Sequence, residues 1–188
     1  ISSQQQALYE YHESAVFHYL YPSSGPILGG TVVSIAGRFP GNLALSCRFG
    51  EGKLLAAEHV TSSLIYCITP MRKHSDNTAS LVVSSHGDEF ASEELAFKFE
   101  DVAHLHEVQP AVVSLETKIV TVFGENFVQT SSMRCRFGLS MSRHGIWVSS
   151  TKVLCQASLL RTGNFSLSIS SNGVDFSPSK VTVVSENL

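Results

Sequence analysis

The chain has 188 residues, room for one large domain or two small ones. Thirteen Lys and Arg against sixteen Asp and Glu give a net charge of −3, and no basic run exceeds Arg72-Lys73. That balance speaks against a nucleic-acid partner, which needs a clustered basic footprint. Charged residues are only 15% of the chain, and Ser, Thr, Val, Ile, Leu and Phe take their place, a mixture for strands with one apolar and one hydroxyl-rich face rather than for long amphipathic helices. No apolar stretch reaches the length of a membrane-spanning helix.

Taken in order, Ile1-Ser2-Ser3-Gln4 shows neither an initiator Met nor a signal-peptide pattern. The chain is therefore expected to be an excised fragment, with any signal or anchor outside it, and residues 1–15 are expected to lead in from a preceding module. Tyr9, Tyr11, Phe17, Tyr19 and Tyr21 alternate, which predicts that part of this lead-in is a strand. Pro22-Ser23-Ser24-Gly25-Pro26, Gly29-Gly30, Gly50-Glu51-Gly52 and Asn172-Gly173 punctuate the chain as turns between short strands.

Blocks then recur. Cys47-Arg48-Phe49-Gly50 returns as Cys135-Arg136-Phe137-Gly138, and Ile65-Tyr66-Cys67 as Val153-Leu154-Cys155, both 88 residues later. Val33-Ser34-Ile35-Ala36-Gly37 matches Val120-Thr121-Val122-Phe123-Gly124 at 87, Phe39 matches Phe127 at 88, and the segment 82–90 matches 168–176 at 86. One- and two-residue slips fall between strands, where loops accept insertions. Tandem duplication follows, with units at 16–101 and 102–188. The period-two pattern points Leu81 and Val83 inward and Val82 and Ser84 outward; in the second unit Phe165, Leu167 and Ile169 point inward and Ser166, Ser168 and Ser170 outward. Units of this size hold roughly seven short strands in an antiparallel sandwich. The fold class is all-β.

The four cysteines fall two per unit, each pair spaced C-x19-C. Strand parity places all four toward the core, so Cys47–Cys67 and Cys135–Cys155 are expected disulfides. Four cysteines allow other pairings, and four reduced core thiols are the alternative. Bonded pairs would imply an oxidising compartment. Asn164-Phe165-Ser166 fits the N-glycan acceptor pattern at a strand edge, making Asn164 a candidate glycosylation site.

These residues resemble the IPT/TIG domains, the immunoglobulin-like folds of plexins and transcription factors. Pro22-x2-Gly25-Pro26-x2-Gly29-Gly30-Thr31, Gly37-x-Phe39, Cys47-x-Phe49-Gly50 and Cys67-Ile68-Thr69-Pro70 are similar to the family pattern. The second unit keeps Pro110, Gly124, Phe127, Cys135-x-Phe137-Gly138 and Cys155, with Ala111 to Thr117 in place of the glycine-rich opening. The resemblance covers roughly residues 16 to 184 and implies two tandem immunoglobulin-like sandwiches, with cysteine-paired copies pointing to the extracellular branch of the family. It implies a non-catalytic segment of a larger secreted or cell-surface protein, serving adhesion, ligand recognition or spacing, with a protein ligand or cell-surface partner and a membrane link only through an anchor outside the chain. The alternatives are a carbohydrate-binding accessory module of a secreted enzyme, with Trp147 stacking on sugar, and a Rel-like nuclear dimerisation domain.

No catalytic motif is present, and no cofactor or metal is expected. His104-Leu105-His106 would place two rings on one strand face, but solvated linker histidines are the plainer reading; Asp88-Glu89 and Glu93-Glu94 read as solvated turn charges. Arg48 and Arg136 recur and point outward, covering a strand. Candidate partner contacts are Met141, Arg143 and Trp147 in the second unit and Arg72 and Lys73 in the first; against them stand a tryptophan that caps the core and a solvated basic turn. Leu159-Leu160 is a loop pair, exposed or packed on the neighbouring unit. The stretch Glu100 to Gln109 lacks Gly and Ser, which predicts a stiff end-to-end arrangement.

Overall fold

The computed structural model describes residues 15–39, 41, 44–73, 78–86, 89–91, 93–117, 119–139, 143–157, 159, 161–178 and 181–187. The first unit runs β1 (Val16–Tyr21), β2 (Ser24–Pro26), β3 (Val32–Arg38), β4 (Ser46–Phe49), β5 (Leu55–Ala56), β6 (Glu58–Thr61), β7 (Leu64–Ile68), β8 (Thr78–His86), β9 (Glu89–Phe90) and β10 (Leu95–Glu100). The second runs β11 (His104–Gln109), β12 (Val112–Ser114), β13 (Ile119–Glu125), β14 (Arg134–Phe137), β15 (Arg143–Ser149), β16 (Lys152–Gln156), β17 (Gly163–Ser170) and β18 (Val181–Glu186). No helix occurs among the described residues.

In the first unit the sheet β1-β3-β7-β6 packs over β2-β10-β8-β4-β5, with β9 added to β8. The second repeats the arrangement as one continuous path, β11-β13-β16-β15-β14-β17-β18-β12. The path is continuous because β15 pairs with β14 at its start and β16 along its length, passing from one sheet to the other. In the first unit Ala57 interrupts the equivalent stretch, separating β5 from β6. Both crossings use the same bond, Ala57 N–H to Leu45 O at 2.9 Å and Gly145 N–H to Met133 O at 3.1 Å.

More strand segments appear than the roughly seven expected of such a sandwich: in both units the opening strand is cut in two at a proline, and in the first β5 stands apart from β6 and β9 is added. Pro22 and Pro110, both following cis peptide bonds, cannot donate to the ladder. Beyond them the chain changes sheet, and β2 and β12 run parallel to β10 and β18.

Each opening strand also carries a bulge, between Phe17 and Tyr19 and again between Leu105 and Glu107. A bulge reverses the faces beyond it. The alternation of Phe17, Tyr19 and Tyr21 therefore does not mark one face: Phe17 and Leu20 are buried and both tyrosines are exposed. Tyr9 and Tyr11 lie outside the described residues.

The expected inward residues Leu81, Val83, Phe165, Leu167 and Ile169 are buried, yet so are Val82, Ser84, Ser168 and Ser170, assigned outward by parity. The reason is a cover that both units build on the outer face. Arg48 lies beside Val82 in the ladder, and its guanidinium stacks on the Phe90 ring at 4.0 Å. Arg136 lies beside Ser168 and stacks on Phe176 at 4.0 Å. The arginines do cover the strand, with an aromatic ring as their platform.

The two cores differ in filling. In the first, Phe49, Phe97 and Phe99 meet edge to face, with centroids 5.0–6.2 Å apart. In the second, β18 offers Val183 and Ser185 at the places of Phe97 and Phe99, and Ser185 Oγ is buried with no hydrogen-bond partner among the described residues. Replacing Ser185 by Ala removes that unmet hydroxyl without adding volume. The expected result is a gain of about 1 kcal/mol, seen as a higher unfolding midpoint in urea. A loss of stability would show that the hydroxyl is satisfied.

Candidate functional site: the joint between the two sandwiches

Between β10 and β11 only Asp101, Val102 and Ala103 intervene, so most of the stretch read as a linker is strand. Val102 O accepts from Asn126 Nδ2 at 3.1 Å, and Ala103 packs against the second core.

The joint is made by the first unit's opening and the loop after β17. Gly25 is buried, and a Cβ there would stand 2.3 Å from Thr31 Oγ1. Absence of a side chain at Gly25 thus seats the Thr31 hydroxyl, which donates to Asp175 Oδ2 of the second sandwich at 2.7 Å. Gly29, at φ +73°, meets the Pro70–Met71 backbone where a Cβ would fall at 2.6 Å. In the second unit Val113 fills the place of Gly25, and the turn closes without glycine through Thr117 N–H to Ser114 O at 3.1 Å. Its opening keeps the same ladder. Of the three glycines it is Gly25 that serves the joint.

From the second unit, Asn172 is the central side chain, 4% exposed. Its Oδ1 accepts from Ser170 Oγ, Val174 N–H and Asp175 N–H at 2.8–3.0 Å, folding the loop on itself. Its Nδ2 donates to Asp175 Oδ2 at 2.7 Å and, across the joint, to Ser24 O at 2.8 Å. Alongside, Ser171 Oγ donates to the buried Glu100 Oε2 at 2.8 Å, and Lys98 Nζ stands 3.4 Å from Glu100 Oε1. Three side-chain hydrogen bonds therefore cross the joint, with a paired carboxylate on each side of it.

The residues anticipated from the sequence lie elsewhere. Cys47–Cys67 and Cys135–Cys155 are disulfide-bonded inside their own units, with Cα atoms 6.3 and 5.8 Å apart, and all four are fully buried. Asn164 is exposed on β17, opposite Val184. Trp147 is half-buried against the second core, its indole N–H donating to Phe127 O at 2.9 Å, so the ring caps the core. Its neighbour Ile146 is the exposed member of the pair. Arg143 is exposed on β15 and Met141 lies outside the described residues. The Arg72 guanidinium stacks over Phe99 at 4.8 Å and reaches Phe49 O at 3.4 Å, holding its own sandwich, while Lys73 is exposed. His104 and His106 are both exposed, His106 standing 3.9 Å from Glu125. Among the described residues no group of three or more His, Cys, Asp or Glu is placed to hold a metal. Glu94 accepts from Ser80 Oγ at 2.7 Å, Leu159 is buried, and Asp88 and Leu160 lie outside the described residues.

Two disulfide-bonded immunoglobulin-like sandwiches joined by a three-residue connection define a tandem all-β module. The IPT/TIG domain model matches residues 15–99 and 103–184, and the chain belongs to that family. No curated protein matches it. Among solved structures it is similar to the Plexin A4 full extracellular region, domains 1 to 10, at 18% identity and a TM-score of 0.56, covering 93% of this chain and 16% of that one. A second structure of that region, domains 1 to 8, gives 17% identity and a TM-score of 0.51, covering 92% and 18%. Invasin, a bacterial integrin-binding protein, is a more distant likeness at 10% identity and a TM-score of 0.36, covering 94% of this chain and 40% of that one. The chain spans less than a fifth of the plexin chains.

Proposed function

We propose that this chain is a non-catalytic binding and spacing segment of a larger extracellular or cell-surface protein, working as one stiff two-sandwich rod. The observation that carries the reading is the joint, where both carboxylates and the Asn172 amide are spent on bonds that hold one sandwich against the other. Side chains ordered this way fix a direction, which is what a spacer supplies to modules on either side of it. Two buried disulfides support an oxidising compartment, and the exposed Asn164 stands where a glycan would be accommodated.

Residual dipolar couplings from the two sandwiches test the stiffness. A single alignment tensor is expected for both, and two unrelated tensors would overturn the rod. Mass measurement after alkylation under denaturing, non-reducing conditions tests the compartment. No alkylated thiol is expected in protein secreted from a eukaryotic host, and four would sink the extracellular assignment. In the same sample a glycan mass lost on Asn164→Gln is expected.

A further inference from the structure

The joint leaves a cleft of about 430 Å³ on one side, within the size range of small-ligand sites. Its floor comes from both units. From β1 and the segment after it come Tyr19, Tyr21 and Ser23; from the second unit come Thr130, Ser131 and Ser132. Tyr19 is 59% exposed and Tyr21 43%. They are two residues apart beyond the β1 bulge, so both rings stand on one face of the strand, about 7 Å apart along it. Tyr21 also reaches the second sandwich, since a Cβ on Gly173 would lie 3.5 Å from its Oη.

The chemistry of the lining is selective. No Lys, Arg, Asp or Glu is among the residues described around the cleft, where His18 and the apolar Leu20, Pro22, Leu95 and Ala96 also stand. The Asn172 amide and the Thr130 hydroxyl at its floor are already bonded, Thr130 Oγ1 donating to Ser171 O. The hydroxyls of Ser23, Ser131 and Ser132 belong to the same lining. Each is both donor and acceptor. Two tyrosine rings beside a row of serine hydroxyls, with no fixed charge, match a ligand with apolar C–H faces and neutral hydroxyl edges. An anionic ligand would find no fixed cation there, only the His18 imidazole, and a wholly apolar one would leave the serine hydroxyls without partners.

The geometry points to a neutral oligosaccharide site in this cleft, with Tyr19 and Tyr21 as the stacking platform and the Ser131–Ser132 edge fixing orientation. It is distinct from any site at Trp147, and it is complete only when the joint is closed. The inference rests on the joint's geometry and not on the extracellular assignment.

The test follows the tyrosine ring resonances of the whole chain during titration with cellohexaose, laminarihexaose and chitohexaose, and with a heparin hexasaccharide as the anionic comparison. At least one neutral hexasaccharide is expected to shift both rings saturably, with a dissociation constant below about 5 mM, and the heparin fragment is not. Tyr19→Ala, at an exposed position that leaves the core intact, is expected to weaken binding about tenfold, while Tyr19→Phe retains it. Absence of any saturable shift up to about 10 mM in a chain whose two sandwiches still share one alignment would overturn the site and leave the rod standing. Tighter binding of heparin, unchanged affinity in Tyr19→Ala, or concentration-dependent broadening of the two rings without sugar would each overturn it too, the last by revealing a protein contact.

Discussion

Replacing Cys135 and Cys155 together by alanine is expected to destabilise the second sandwich by about 3 kcal/mol. The bridge spans a sequence separation of 20 and links β14 to β16 through fully buried sulfurs. Closing a loop of that length removes about 11 cal/mol/K of chain entropy from the unfolded state, which is about 3 kcal/mol at room temperature. A void left by the sulfurs adds to the loss, because the surrounding Val122, Met133 and Val153 are fully buried and have little freedom to collapse. The measurement can be made specific, since Trp147 is the only tryptophan and packs on the second core. Urea unfolding followed by its fluorescence should show the midpoint fall sharply in Cys135→Ala/Cys155→Ala, and move far less in Cys47→Ala/Cys67→Ala. A shift under about 1 kcal/mol in the first variant would mean that packing, not the cross-link, holds this sandwich.

Much of this architecture was legible because duplication writes each structural demand twice. The recurring Cys-Arg-Phe-Gly block marks β4 and β14, and within it every residue has the same task in both units: the Cys is bonded, the Arg covers, the Phe is buried and the Gly turns at positive φ. What strand parity missed has local causes. Tyr19 and Tyr21 were separated from Phe17 by a bulge, which leaves no mark on an alternating pattern. Ser168 and Ser170 read as solvent-facing because serine suits an outer face; Arg136 and Phe176, brought over them by the fold, make that face an inner layer. The joint was invisible for a different reason. Its bonds connect residues 71 to 148 apart, Thr31 to Asp175, Ser24 to Asn172 and Glu100 to Ser171, and no periodicity relates them. The only signals were an Asn-Gly pair, read as a turn, and an opening rich in glycine. Both were indeed turns, with a second role that depends on the other unit.

That second role makes Asn172→Ala the sharper experiment on function. The substitution removes three acceptor bonds inside the loop and the donations to Asp175 Oδ2 and Ser24 O. Each is worth about 1 kcal/mol net, and water can reach part of the opened loop, so a total loss of about 2–3 kcal/mol is expected. Loop and joint are separable with Asn172→Asp. A carboxylate keeps the acceptor oxygen that Val174 and Asp175 N–H require, but it cannot donate to Ser24 O and it confronts Asp175 Oδ2 where the amide had donated at 2.7 Å. Two like charges at that distance repel strongly, and the joint is the softer of the two ways to part them. Asn172→Asp is therefore expected to keep the Trp147 unfolding midpoint closer to that of the parent chain than Asn172→Ala does. Both variants are expected to split the single alignment tensor into two. If both keep one tensor, the three-residue connection and backbone contacts hold the sandwiches without this side chain, and the polar network is a consequence of their docking rather than its cause.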